Sequence, residues 1–132
     1  MNAMTCGHDD KPVDIREPNW EDIKAATTCL DGIDYTQVCV GQFGAEVPHM
    51  CIGGGALGNY QGYATYDNLD FHMLLNPEGS PDEHFNMVVG GQSVDVPLNE
   101  CVSLETALRA VKRFAEDGSL DPSVPWMRNF GQ

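Results

Sequence analysis

Six short runs decide the fold: YTQVCV (35–40), VPHMCI (47–52), YQGYATY (60–66), DFHMLL (70–75), HFNMVV (84–89) and QSVDVP (92–97). Each is four to eight residues long and rich in Val, Tyr, Phe, Ile or Thr. Several alternate strictly: Tyr35, Gln37 and Cys39 fall on one side, Thr36, Val38 and Val40 on the other. Period-two patterning is what a strand with two different faces demands. Turn residues separate the runs: Gly41 to Gly44, Gly53-Gly54-Gly55 with Gly58-Asn59, Asn76-Pro77-Glu78-Gly79-Ser80-Pro81, and Gly90-Gly91 as a hairpin turn. Spacers this short favour antiparallel neighbours. Pro48 confines the start of its run to an edge or bulge, because proline has no N–H for the ladder.

Working outward, a helix is expected on each side of the strands. Upstream, Trp20, Ile23, Ala26, Thr27 and Leu30 recur at three and four. Asn19 serves as N-cap, Glu21 and Asp22 fall in the first turn, and Asp31-Gly32 closes the helix. Downstream, Ser103 caps a helix whose apolar stripe is Leu104, Ala107, Leu108, Val111, Phe114 and Ala115, and Gly118 stops it. Arg109, Lys112 and Arg113 fall on its other side, toward the C-terminus. Pro122 and Pro125 keep the tail extended, laying Trp126 against the sheet. Residues 1–16 are polar and aperiodic and read as a flexible arm before a single domain at 17–132. The expected class is α+β: a meandering antiparallel sheet of about five to six strands, with an N-terminal and a C-terminal helix packed on one face.

Charge excludes several functions. Seven Lys and Arg stand against 20 Asp and Glu in 132 residues, a formal net charge of −13. From Ala25 to Leu108, 84 residues carry 11 acids and no base. A nucleic-acid or anionic-membrane binder needs a positive face, so direct binding to either is not expected. No apolar run approaches the roughly 20 residues of a membrane span. Met1 to Asp10 lacks the basic and apolar regions of a secretory signal, so a cytoplasmic location is expected. In that compartment Cys6, Cys29, Cys39, Cys51 and Cys101 read as reduced thiols, with Cys39 and Cys51 as small buried hydrophobes.

Candidate chemistry mostly fails. Gly53-Gly54-Gly55-Ala56-Leu57-Gly58 lacks the Lys-Ser/Thr of a phosphate loop and precedes a strand, so it reads as a Gly-rich turn. None of the serines lies in a Gly-x-Ser-x-Gly elbow. His49 and Cys51 share a strand face, but apolar neighbours blunt the thiol. His72 and His84 flank an acidic turn without the spacing of a metal motif, and Cys6-Gly7-His8 lacks a matching pair. Asp67-Asn68-Leu69-Asp70 reads as a turn, and Asp117 to Asp121 as a helix stop. No catalytic residue, metal or cofactor is assigned.

Two stretches carry a resemblance. One is Trp20-Glu21 at the head of the first helix. The other runs from Val102 to Gly118 and on through Asp121-Pro122-Ser123-Val124-Pro125-Trp126. Together with the run of short strands, they resemble the immunity proteins of bacterial polymorphic toxin systems, in particular a family often paired with deaminase-type toxins. The extra Leu120-Asp121 before Pro122 departs from that pattern. The resemblance implies a non-enzymatic inhibitor that binds its cognate toxin domain 1:1 and occludes the active site. It does not say which residues touch the toxin; Trp20, Phe114 and Trp126 read as core. Charge suggests the contact set Asp67, Asp70, Glu78, Asp82 and Glu83, with Tyr63 and Tyr66 as anchors. The rival readings are an acidic adaptor or regulator of another system and a small ligand-binding domain.

Overall fold

The computed structural model describes residues 1–130. In chain order the elements are β1 (Ala3–Cys6), β2 (Val13–Arg16), α1 (Trp20–Thr28), β3 (Gln37–Gly41), β4 (His49–Gly54), β5 (Tyr60–Thr65), β6 (Asp70–Leu74), β7 (His84–Val89), β8 (Gln92–Pro97), α2 (Leu104–Asp117) and β9 (Trp126–Phe130). Seven strands form one antiparallel sheet in the order β2-β1-β3-β4-β5-β6-β9, and β7 and β8 pair separately. The α+β class and all six expected runs are present. The sheet is larger than expected, and the single meander is interrupted by the separate hairpin.

Three local expectations need correction. Residues 1–16 do not form an arm. Ala3 pairs with both Arg16 and Gly41, so β1 and β2 extend the sheet, and Met4 is buried against Val40. A four-residue strand that gains backbone bonds on both sides needs little apolar content of its own, which hides it from pattern reading. The first helix is therefore internal rather than N-terminal. It ends at Thr28, short of Asp31-Gly32, where the last turn tightens and the Leu30 N–H donates to Thr27 O at 3.2 Å. The tail is also a strand: β9 pairs with β6, setting Trp126 opposite Leu74. β4 begins at His49, just past Pro48, as the missing N–H of proline requires.

Both helices pack on the same sheet face. Met4, Val38, Val40, Met50, Ile52, Ala64 and Leu74 meet Ile23 of α1 and Ala107, Ala110, Val111 and Phe114 of α2 in one core. Phe114 is fully buried, and Trp20 and Trp126 pack partly buried at its margin. Asn19 accepts the Asp22 N–H at 2.8 Å while Asp22 accepts the Asn19 N–H at 3.0 Å, a complete capping box. Ser103 caps α2, and Gly118 closes it in the left-handed conformation. The opposite sheet face carries the β7–β8 hairpin across its strand ends. There a Cβ on Gly53 would come within 2.5 Å of Val89, and one on Gly54 within 2.9 Å of Met87. Glycine at both positions lets the hairpin lie directly on the sheet backbone.

Candidate partner-binding surface

Strand direction sorts the loops into two groups. β3 begins, β4 ends, β5 begins and β6 ends at the same edge of the sheet. The segments 7–12, 29–36, 55–59, 75–83 and 98–101 therefore gather at one end of the molecule. Hydrogen bonds tie them together: Asp9 N–H to Asp34 O at 2.8 Å, Asn76 N–H to Asn99 O at 2.6 Å and Leu98 N–H to Glu83 O at 2.8 Å. This end holds Asp9, Asp10, Asp31, Asp34, Glu78, Asp82, Glu83 and Glu100, against Lys11 alone among the Lys and Arg. The opposite end is mixed. There Arg128 bonds Asp70 at 2.6 Å and Arg113 lies 3.4 Å from Asp117.

The residues singled out by charge are divided between these ends. Glu78, Asp82 and Glu83 are exposed in the loop leading to β7, and among the described residues no ion pair involves them. Asp67 and Asp70 bracket the β5–β6 turn at the far end of β6, a strand of five residues or about 17 Å. The Asp67 carboxylate accepts N–H groups from Asp70 and Leu69, which holds its pKa below the ordinary aspartate value. Tyr63 and Tyr66, three apart, point to opposite faces. Tyr66 sits on the helix side, donates its hydroxyl to Gly118 O at 2.6 Å and leans on Phe114. Burial and then the Asp117 charge push its phenol pKa up. Tyr63 lies half-buried on the open face, edge-on to His49 and Phe71. Burial raises its pKa too.

On that open face Cys39 stands directly opposite Cys51, with Cα atoms 4.1 Å apart, and the two form a disulfide. The reading of both as reduced thiols is corrected here. Register across two strands brings them together, and spacing along the chain does not reveal it. His49 shares this face as expected, but it has no thiol partner. Its Nδ1 donates to Glu46 O at 2.6 Å, and its Nε2 faces the Tyr63 hydroxyl at 3.3 Å. His84 lies 3.4 Å from Asp95, and His72 packs edge-on to Tyr66. Among the described residues no group of three or more His, Cys, Asp or Glu is placed to hold a metal ion.

Pattern reading passed over the loop 31–35. The Asp31 Oδ1 accepts N–H groups from Ile33, Asp34 and Tyr35 at 2.8, 3.0 and 3.1 Å. These bonds, that of Ile33 foremost, lower its pKa. Asp9 similarly accepts the Thr36 N–H and hydroxyl at 3.1 and 2.8 Å. The available signal was an Asp followed by Gly at a helix end, which marks an Asx turn as readily as a helix stop. No helix of the described residues is long and apolar enough to cross a membrane.

This surface offers anions on short, backbone-anchored loops beside an aromatic sheet face. Comparison with known families finds a match over residues 11–128 to the family described as Immunity protein Imm1. Comparison with curated proteins finds no match.

Proposed function

The chain belongs to the Imm1 immunity protein family, and on that premise we propose that it neutralises a cognate toxin domain by covering its active site. The family match across most of the chain carries this reading. The toxin we propose is one that acts on nucleic acid, a deaminase by the resemblance noted above. Such an enzyme needs a basic cleft to hold phosphates. A −13 partner competes for that cleft by placing carboxylates where phosphates would sit, through charge-assisted hydrogen bonds to Arg and Lys. Opposite fields also speed encounter and disfavour acidic bystanders. Inhibition of this kind is stoichiometric: no bond is made or broken, and one immunity protein silences one toxin domain.

The loop bearing Glu78, Asp82 and Glu83 supports the acidic side of this contact, since these carboxylates lie exposed and outside the ion pairs described above. Tyr63 supplies an aromatic neighbour on the open face. The test is direct. The toxin domain encoded beside this gene is titrated with the purified protein while its activity is followed. Activity should vanish at one equivalent. Undiminished activity at saturation would remove the proposal.

A further inference from the structure

Resting on the toxin-binding reading above, we infer that Ile33 and Leu57 are the apolar anchors of the toxin contact, seated in an apolar pocket with a cationic rim. Among the described residues these are the most exposed large hydrophobic side chains, at 74% and 90%. They occupy loops that touch. A Cβ on Gly32 would lie 2.6 Å from the Ala56 nitrogen, and one on Gly55 would lie 2.5 Å from Leu30 O. The two loops are thus locked backbone to backbone, and each anchor is the residue following the Gly32–Ala56 contact.

Neither loop is slack. Asp31 fixes the first through three N–H groups, and its own N–H donates to Tyr35 O at 2.9 Å. In the second, Gly55 N–H donates to Asn59 O at 2.9 Å. Leu57 itself sits at φ 53, ψ 30, a left-handed conformation that a branched apolar residue adopts only at a cost. Here the side chain faces solvent and the strained backbone supports no core contact. Rigid exposed apolar side chains at the centre of a charged rim have the anatomy of an interface hot spot, and their fixed loops spare the ordering cost of binding.

Charge selects the occupant. Asp31 and Asp34 flank Ile33 in its own loop, and Asp9 is tied to that loop by its N–H to Asp34 O at 2.8 Å. A second copy would bring the same negative end and be repelled; a partner with a basic rim would be drawn in. Among the described residues, the large apolar side chains exposed at the far end sit on separate segments. Phe43 there lies under the Arg16 guanidinium at 3.2 Å, and Leu69 stands on a separate turn.

The experiment measures Kd for the neighbouring-gene toxin domain with wild type, Leu57→Gly, Ile33→Ala and Leu69→Ala. Glycine suits a positive φ, so Leu57→Gly should melt no lower than wild type. It should nevertheless bind about 30-fold more weakly, as should Ile33→Ala, while Leu69→Ala stays within twofold. If wild type binds tightly and both anchor variants bind within twofold of it, this inference is wrong and the immunity reading stands. If wild type binds no toxin, both fail. Sedimentation showing wild-type dimers that Leu57→Gly disperses would overturn the choice of occupant.

Discussion

Charge reversal at the two ends of the molecule should have unequal consequences for toxin association. Glu78, Asp82 and Glu83 stand at one end of β6, and Asp67 and Asp70 at the other, about 17 Å away along the strand. A carboxylate about 6 Å from a toxin cation in water gains roughly 0.7 kcal/mol, and reversal to Lys swings this by about 1.4. Screening at a Debye length of about 8 Å roughly halves that figure. Three reversals then remove about 2 kcal/mol of attraction, or about 30-fold in the association rate. At about 20 Å the screened effect of a reversal is a few percent of the rate. The triple variant Glu78→Lys, Asp82→Lys, Glu83→Lys should therefore associate about 30-fold more slowly. Its defect should shrink as salt rises, with little change in dissociation. The pair Asp67→Lys, Asp70→Lys should associate at nearly the wild-type rate. Stopped-flow association at low and physiological salt, with circular dichroism to confirm folding, reads both. Equal slowing by the two variants, or slowing only by the far pair, would refute placing the contact at the acidic end.

Gly62→Ala probes the core under the sheet. A Cβ there would lie 2.6 Å from Leu74 Cδ1 and 2.7 Å from Ile52 Cδ1, both fully buried. Such overpacking costs about 1–3 kcal/mol, and an unfolding entropy of about 2.1 cal/mol/K per residue converts this to a Tm lower by about 4–11 °C. Calorimetry finding an unchanged Tm would show that the core relaxes freely. Acid stability gives a further test. Hydrogen bonds hold the Asp31, Asp67 and Asp117 carboxyls below their ordinary pKa. A depressed folded pKa contributes stability that is present above the unfolded value of about 3.9 and is lost as pH falls through the folded one. The urea midpoint should drop through this window, and Asp31→Asn should make the drop shallower. An identical profile for the variant would contradict the assigned bonds.

Much of the fold is legible in short windows. The runs at 84–89 and 92–97 become β7 and β8 over the expected residues, because period-two alternation around Gly90-Gly91 is a purely local signal. Asn19 and Ser103 cap the helices for the same reason: a cap reads only the next three residues. The N-terminal strands escape such reading. VDIR at 13–16 is an exposed edge whose partner is β1, so backbone pairing, with little apolar pattern, makes it a strand. The residues grouped by charge were chosen by closeness in sequence, and the length of β6 sets Asp70 and Glu83 at opposite ends of the sheet.

Composition alone made the protein strongly anionic, because net charge is a sum that no conformation alters. Local periodicity alone settled most strands and both helices. Register and topology decided the rest. They set Cys39 against Cys51, brought Ile33 beside the loop of Leu57 and gathered loops distant in sequence at one end of the sheet. Electrostatic and contact energies depend on distance in space, and only the folded sheet assigns those distances.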